Sequence, residues 1–328
     1  MRALVINCSK DYNLGAEKIA TWLKRNGHEV IKSRPNIPPH LNPPPPVRGG
    51  RGGGYDAVFL SAIYTWDLPI LVQEARKALK HTKVEIGGPA ASIMPDYIFA
   101  ETGIKPVFGL DSRFEFEPAQ YRSTYTSRGC IRNCEFCSVP KVEGGLREIP
   151  TFIPTSYILD ANFLACSKSH IENACEKLSS LPFVDFLHGL DARLLEPWHI
   201  ELFLKKLKLP VWRFTFDSLR HETVLKNVLA MLKRYGVKPE EKVIVYCLYG
   251  FKDIPKDAYE RAKQVISLGA HPYAMRFQPL DTLTKDSHVP DGWNTNSLSE
   301  FGEFCNKPTL AWLFGLLSKY TKILKLST

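Results

Sequence analysis

The segment Cys130-Ile131-Arg132-Asn133-Cys134-Glu135-Phe136-Cys137 places three cysteines at the spacing C-x3-C-x2-C, directly after Gly129. A predicted strand over 121–127 delivers this segment, and strand-like and helical patterns alternate after it. Because the cysteines follow one another at steps of four and three residues, their thiolates come to the inner side of one tight loop. Three thiolates can hold three irons of a 4Fe-4S cluster, whereas clusters that only transfer electrons are closed by four cysteines. The fourth iron would then be open to another ligand.

The same three cysteines could instead belong to a zinc site, which usually needs four ligands. The nearest further cysteines, Cys166 and Cys175, lie far downstream and are not paired at short spacing. A motif of this length is a hypothesis that its structural context must support. The context here favours the cluster.

Six strand-like segments recur from the cysteine segment onwards, with helical patterns between them. They cover 121–127, 156–160, 184–187, 211–216, 242–247 and 272–277. Six such units predict a partial (β/α)6 barrel over 113–288, since a complete eight-unit barrel typically needs ~250 residues. The remaining segment, 289–328, is predicted to be a helical C-terminal extension.

The first part of the chain, 1–112, also alternates between strands and helices. The predicted strands are 3–8, 29–33, 56–61, 83–88 and 106–108, and the predicted helices are 15–26, 68–80 and 95–102. This α/β pattern is typical of a doubly wound parallel sheet, which binds ligands at the carboxyl ends of its strands. A loop over 34–54, rich in Pro and Gly, interrupts the domain and is predicted to be an exposed linker. Its Arg-Gly-Gly repeats could contact RNA, but they contain only two arginines.

Composition limits the choice of protein class. A chain of 328 residues is long enough for two domains, because single cores rarely grow beyond ~250–300 residues. No apolar run approaches the ~20 residues of a membrane span, and the N-terminus lacks the layout of a signal peptide. The eight scattered cysteines form no disulfide framework, so we expect a cytoplasmic protein. The net charge of +9 favours an anionic partner such as nucleic acid only weakly, and a solvated basic surface explains it as well.

The cysteine spacing, with the aromatic Phe136 before the third cysteine, resembles that of radical S-adenosylmethionine (SAM) enzymes. The resemblance implies that the open iron binds the amino and carboxylate groups of SAM, and that a reductant such as flavodoxin or ferredoxin drives cleavage to a 5′-deoxyadenosyl radical. The segment 55–109, with "YDAVFLSA" and "EIGGPAASIMPDYI", resembles the cobalamin-binding domain that precedes many radical SAM barrels. The domain over 1–112 departs from the family's D-x-H-x-x-G motif, because Asp11-Tyr12-Asn13-Leu14-Gly15 contains no histidine. Many radical SAM members that bind cobalamin also lack that histidine, so its absence does not decide between cobalamin binding and a domain that only caps the barrel.

The resemblance also assigns roles to individual positions, most of them at strand ends, where βα barrels collect their active sites. Cys130, Cys134 and Cys137 are the cluster ligands and the catalytic centre. Asp160 and Asn162 stand where the family's Gly-Gly-Glu segment binds the SAM amino group. A carboxylate such as that of Asp160 can accept hydrogen bonds from an ammonium group. The other predicted cofactor-binding positions are Phe136 and Gly250 at adenine, Arg193 with Asp191 at the SAM carboxylate, Asp217 at the ribose, Gln278 on the sixth strand, and Ser61, Gly87 and Gly88 at the corrin or its tail. A structural ion pair of Asp191 with Arg193, and a helix cap by Asp217, are the alternatives.

Two reactions follow from the resemblance. One is methyl transfer from methylcobalamin to an unactivated carbon, and the other is a cobalamin-independent radical rearrangement or modification. A third hypothesis, from another class, is a non-catalytic iron–sulfur or zinc protein that binds nucleic acid through its basic surface. The sequence leaves the substrate open.

Overall fold

The computed structural model describes residues 1–35, 54–115, 117 and 122–325, with side chains of the last helix up to Leu313. Most of the predicted Pro- and Gly-rich loop, 36–53, lies outside the described residues. The chain divides into two compact units. The first comprises Met1–Tyr121, Cys137–Gly144 and Pro279–Ser287, and the second comprises Arg122–Phe136, Gly145–Gln278 and His288–Thr328. The division differs from the predicted boundaries. The first unit extends to Tyr121 and includes Cys137–Gly144 and Pro279–Ser287, which were predicted to belong to the barrel, and the C-terminal helix belongs to the second unit.

The first unit is built on a four-stranded parallel sheet with the strand order β2-β1-β3-β4. Its elements are β1 (Arg2–Asn7), α1 (Leu14–Arg25), β2 (Glu29–Ser33), β3 (Ala57–Ser61), α2 (Leu68–Ala78), β4 (Lys83–Gly87), α3 (Pro89–Ile93), α4 (Pro95–Thr102) and α5 (Val139–Val142). Strand β3 is buried along its whole length, as expected of a central parallel strand covered on both faces. The predicted α/β class and these four strands are confirmed.

The predicted strand at 106–108 is wrong. Beside β4, the backbone N–H of Val107 donates to the carbonyl of Ile86 at 2.8 Å, but no regular strand forms there. Pro106 has no N–H to donate, and Gly109 turns the chain with φ +70°. The segment therefore runs along the sheet edge without extending the sheet.

Gly88 makes the tight turn from β4 into α3, with φ +96°. A Cβ added there would lie 2.6 Å from the carbonyl oxygen of Ala62 and 2.7 Å from Oγ of Ser61. We expect Gly88→Ala to lower the free energy of unfolding by about 1–3 kcal/mol for the backbone conformation alone, with a further loss from the clash. Gly103→Ala is the matched control, because Gly103 has φ +72° but no atom within 4 Å of the added Cβ. If urea unfolding gave the same loss of free energy of unfolding for Gly88→Ala and Gly103→Ala, the clash at Gly88 would be contradicted.

The second unit carries parallel strands that follow one another along the chain. Its elements are β5 (Ser123–Thr124), β6 (Ser127–Arg128), β7 (Arg147–Glu148), β8 (Tyr157–Ile158), α6 (Lys168–Leu178), β9 (Asp185–Phe186), α7 (Pro197–Lys206), β10 (Trp212–Thr215), α8 (Glu222–Arg234), α9 (Pro239–Lys242), β11 (Val243–Tyr249), α10 (Pro255–Ser267), β12 (His271–Arg276) and α11 (Thr295–Lys325). The orders β5-β8-β9 and β10-β11-β12 are each parallel. A parallel bridge between Leu190 and Phe214 lies between the β9 and β10 segments.

Large aromatic side chains fill the core of the second unit. Phe163, Phe203, Trp212, Phe214 and Phe216 are each at most 1% exposed. Side chains of this size contribute much of the apolar area that stabilises a domain. They hold the strands and helices in place, so the loops at the carboxyl ends of the strands rest on a rigid base.

Helix α11 runs beside β12, the last strand of its sheet. The Asn306 side chain accepts from the backbone N–H of Ala274 at 2.7 Å and donates to the carbonyl of the same residue at 3.1 Å. The Thr309 hydroxyl donates to the carbonyl of Pro272 at 2.7 Å. These bonds satisfy edge groups that would otherwise be open to another strand. The predicted C-terminal helix is confirmed, and it covers a sheet edge. No helix among the described residues is both long and apolar enough to cross a membrane.

The predicted first strand of the second unit, 121–127, is in fact two short strands. Residue 121 lies outside the described residues. Strand β5 pairs with β8, whereas β6 pairs antiparallel with β7 on the far side of the cysteine segment. Two-residue strands such as β6 and β7 carry too little sequence pattern for this pairing to be predicted.

Candidate functional site

The strand end that leads into the cysteine segment is held by a buried carboxyl group. Asp160, two residues beyond β8, accepts from the N–H of Thr126 at 2.6 Å, from the hydroxyl of Thr126 at 2.5 Å and from the hydroxyl of Ser127 at 2.8 Å. Burial raises the pKa of Asp160, although these hydrogen bonds act to lower it. Thr126 and Ser127 are themselves fully buried. The chain therefore enters the cysteine segment from a fixed point.

Cys130 and Cys134 are half-buried free thiols in the second unit. Sγ of Cys130 accepts from the backbone N–H of Arg132 at 3.3 Å and from the side-chain amide of Asn162 at 3.5 Å. Burial raises the pKa of the Cys134 thiol, and the Arg193 guanidinium partly offsets that rise. Donors and positive charge beside a sulfur favour its thiolate form, which is the form that binds metals. The hydrogen bonds to Sγ of Cys130 can support a metal-bound sulfur, whereas the pKa of Cys134 is raised overall. Both residues remain predicted cluster ligands.

Cys137 is also a half-buried free thiol, and it belongs to the first unit. Among the residues that the structure describes, no three His, Cys, Asp or Glu side chains are grouped as a metal site. The three-cysteine ligand set therefore remains a prediction from the sequence spacing.

Asp191 joins two arginines beside the cysteine segment. Its carboxylate accepts from Nε of Arg193 at 2.7 Å, from Nη2 of Arg193 at 3.0 Å and from Nε of Arg132 at 3.1 Å. Burial acts to raise the pKa of Asp191, but the bonds and charges of Arg193 and Arg132 outweigh it and hold that pKa below its ordinary value. One carboxylate shared by two guanidiniums leaves one positive charge. The predicted ion pair of Asp191 with Arg193 is present, and Arg132 is an additional member.

Asn162 is 3% exposed and links the thiol of Cys130 with the Asp191 carboxylate. Its amide nitrogen lies within donor distance of Sγ of Cys130, at 3.5 Å, and of Oδ2 of Asp191, at 3.4 Å. Its carbonyl oxygen, Oδ1, is buried and has no partner in the described part of the chain. A buried acceptor without a donor costs free energy, so such a group in a folded protein needs an explanation. A ligand with a hydrogen-bond donor would supply one.

An aromatic cluster supports the end of the cysteine segment. Phe136 packs edge-on against Phe251 with ring centroids 5.4 Å apart, and Phe251 contacts Phe277 at 4.8 Å. Nζ of Lys252 lies 2.6 Å from Oε1 of Glu135. Phe251 and Lys252 follow Gly250, so the turn after β11 meets the cysteine segment through both an apolar and a charged contact.

The turn after β11 is itself fixed from two sides. The N–H of Gly250 donates to Oδ1 of Asp253 at 2.9 Å, and the indole N–H of Trp293 donates to the carbonyl of Asp253 at 2.8 Å. Arg261, which is buried, forms an ion pair with Asp253. Gly250 has φ +76°, which is unfavourable for other residues. The predicted role of Gly250 beside a ligand thus has a rigid backbone to support it.

Asp217 follows β10, and its Oδ1 accepts from the backbone N–H of Leu248 at 3.1 Å. Burial raises the pKa of Asp217. The hydroxyl of Ser218, and not Asp217, caps the following helical turn by accepting from the N–H of Arg220. The alternative of a capping role for Asp217 is therefore wrong. Gln278, the last of the predicted barrel positions, follows β12 and is half-buried. Its side chain or backbone has an interaction partner.

Ser61, Gly87 and Gly88 lie at the carboxyl ends of β3 and β4 in the first unit. The crevice where the strand order reverses, between β1 and β3, is the expected ligand site in such sheets. Here the side-chain amide of Asn13 donates to Oγ of Ser61 at 3.1 Å and to its carbonyl at 3.3 Å. The hydroxyl of Ser9, on the β1 side, bonds Asp67 at 2.5 Å. The loops after β1 and β3 are thus tied together, and their side chains offer no orphaned buried polar atom to a corrin or its tail. Cobalamin binding by the first unit stays a prediction from the sequence.

Several residues of the site were not predicted from the sequence. Arg132 lies inside the cysteine segment and could have been identified from its charge between two predicted ligands. Thr126 and Ser127 lie at the end of a predicted strand, and no signal in the sequence singles out Phe251 or Lys252. Their roles depend on partners distant in sequence, such as Lys252 with Glu135.

No family model, no curated protein and no solved structure matches this chain.

Proposed function

We propose that this chain is a radical SAM enzyme that carries a 4Fe-4S cluster on Cys130, Cys134 and Cys137. In this proposal the strands β5, β8, β9, β10, β11 and β12 form a partial (β/α)6 barrel with the site at their carboxyl ends. The observation that carries the proposal is the orphaned buried Oδ1 of Asn162. The amide nitrogen of the same side chain contacts the Cys130 thiol and the Asp191 carboxylate, which two arginines share.

That arrangement matches the charges of an amino acid ligand. An ammonium group can donate to Oδ1 of Asn162, and a carboxylate can bind the guanidinium donors that Asp191 leaves open on Arg132 and Arg193. Arginine suits this task because its planar fork pairs with a carboxylate at two points. The site thus offers an acceptor and a surplus positive charge side by side.

The cluster, when bound and reduced by an electron donor such as flavodoxin or ferredoxin, supplies the electron for SAM cleavage. The chain's own residues bind and orient. Arg132 N–H and Asn162 donate to Sγ of Cys130, which stabilises negative charge on that sulfur. Asp217 is an acceptor for ribose hydroxyls, and Phe136 and the Gly250 turn are surfaces for adenine.

The hydrogen bonds between the loops after β1 and β3 favour the cobalamin-independent reaction over methyl transfer from methylcobalamin. The support is the bonding of Asn13 to Ser61 and of Ser9 to Asp67. We therefore propose radical modification of a substrate without a corrin. Retention of a stoichiometric amount of hydroxocobalamin after desalting would contradict this part of the proposal.

The test of the function is SAM cleavage by anaerobically reconstituted protein. We expect about four irons per chain from cluster type, an electron paramagnetic resonance (EPR) signal on reduction that changes when SAM is added, and formation of 5′-deoxyadenosine. Tightly bound zinc, no iron and no 5′-deoxyadenosine would instead support a binding protein.

We expect Asn162→Ala to raise the KM for SAM about tenfold or more, because a hydrogen bond to a charged group contributes about 1.5–3 kcal/mol. Iron content should stay near that of the parent protein, since Asn162 is not a ligand in this proposal. The exposed Asn133 of the cysteine segment provides the control, and Asn133→Ala should leave KM unchanged. A variant at Asn162 with parental KM would exclude the contact with the ammonium group.

A further inference from the structure

Both carboxyl oxygens of Asp160 are already occupied by protein donors. Oδ1 accepts from the N–H of Thr126, and Oδ2 accepts from the hydroxyls of Thr126 and Ser127. The residue is 3% exposed. A carboxyl group that takes three donors from one strand end presents little to a ligand. This differs from Asn162, two residues further on, whose buried Oδ1 has no partner in the described part of the chain.

Further hydrogen bonds, made by Thr126, support the same strand end. Nε2 of His170 lies 3.3 Å from Oγ1 of Thr126. Because the Thr126 hydroxyl gives its single proton to Asp160, His170 is the donor in this contact. The backbone N–H of Ile149 also donates to the carbonyl of Thr126, at 2.8 Å. Thr126 is thus bound through its N–H, its hydroxyl and its carbonyl.

The fixed residues stand just before the first cysteine. Thr126 and Ser127 precede Cys130 by four and three residues, and only Arg128 and Gly129 intervene. Gly129 has φ +76° and turns the chain at this point. The position of Cys130 is therefore set by how firmly Thr126 and Ser127 are held, since a two-residue connection leaves little freedom.

We propose that Asp160 is a positioning residue: it fixes the strand end from which the cysteine segment departs, and it leaves contact with the ligand to Asn162. This inference rests on the proposed function, because a cluster ligand such as Cys130 must be held in place before the cluster binds. The anchoring itself can be measured without a cluster.

The first experiment uses the full chain without iron. We expect Asp160→Asn and Thr126→Val to speed amide hydrogen exchange over 126–130 and alkylation of Cys130 by about tenfold, because each opens a buried hydrogen-bonded anchor. Thr126→Ser keeps the hydroxyl and should behave like the parent. Alkylation of the fully buried Cys175 monitors global unfolding in the same sample and should not change. Unchanged protection of Cys130 in both Asp160→Asn and Thr126→Val would overturn the proposal.

The second experiment separates anchoring from ligand contact in reconstituted protein. Asp160→Asn should lose iron faster to a chelator and broaden the EPR signal, while its KM for SAM per bound cluster stays within about threefold of the parent value, a difference below 1 kcal/mol. Asn162→Ala should retain iron like the parent protein and show a raised KM for SAM. A large rise in KM with normal iron retention in Asp160→Asn would make Asp160 a ligand-binding residue. If the parent protein binds no cluster, the proposed function fails, and the exchange and alkylation data still decide the anchoring.

Discussion

Replacement of Cys134 by alanine is expected to abolish both iron binding and formation of 5′-deoxyadenosine. Two cysteines cannot hold a cluster that needs three protein ligands, and no other cysteine of the second unit can replace the missing thiolate, because Cys166, Cys175, Cys247 and Cys305 are all buried. Iron and sulfide content, visible absorbance and product chromatography measure the result. Cys130→Ala and Cys137→Ala should have the same effect.

The matched control is Cys175→Ala, which also removes one sulfur. Cys175 lies on α6, is fully buried, and burial raises its pKa to about 12. A thiol with such a pKa remains protonated at neutral pH and is a poor metal ligand. Iron content and product formation should match those of the parent protein. Loss of iron in this control, or full turnover in Cys134→Ala, would contradict the proposed assignment of ligands.

Elements with strong local signals could be predicted from the sequence. The strand Glu29–Ser33 and the helix Pro95–Thr102 have the predicted bounds. The helix begins with a proline, and Gly103, with φ +72°, ends it. The proline and the glycine act on the backbone within a few residues of their own positions, so the bounds of this helix can be predicted from the local sequence.

The contacts that define the site could not be predicted in the same way. Asp160 was correctly placed at a strand end, but its partners Thr126 and Ser127 are 34 and 33 residues away. Arg132 meets Asp191 across 59 residues. A polar residue at a strand end can bind either a ligand or a neighbouring strand, and only the three-dimensional arrangement distinguishes the two. Asn162 follows the same strand, but its buried Oδ1 has no hydrogen-bond partner in the described part of the chain, whereas both carboxyl oxygens of Asp160 have one.

Replacement of Arg213 by methionine is expected to lower the free energy of unfolding by about 3–5 kcal/mol, the loss found when one partner of a buried ion pair is removed. Nε and Nη2 of Arg213 donate to the two carboxylate oxygens of Asp185 at 2.7 and 2.8 Å. Asp185 is 0% exposed and Arg213 is 6% exposed. The variant would leave the Asp185 carboxylate without its counter-charge in the core. Urea unfolding followed by tryptophan fluorescence, to which the buried Trp212 contributes, measures the loss.

Two controls show whether the loss comes from the unpaired charge. Arg76→Met removes the same side chain from an exposed pair with Glu101, and such pairs contribute only about 0.2–1 kcal/mol. The double variant Asp185→Leu with Arg213→Met removes both charges, and we expect it to recover most of the stability, because apolar replacements of buried pairs are often neutral. Incomplete recovery would measure what the pair adds by joining β9 to β10 and, through Nη1 of Arg213 and the Tyr246 hydroxyl at 3.1 Å, to β11. If Arg213→Met lost no more stability than Arg76→Met, the pair would not be essential to this core, and the aromatic packing around it would be sufficient to hold the strands that carry the site.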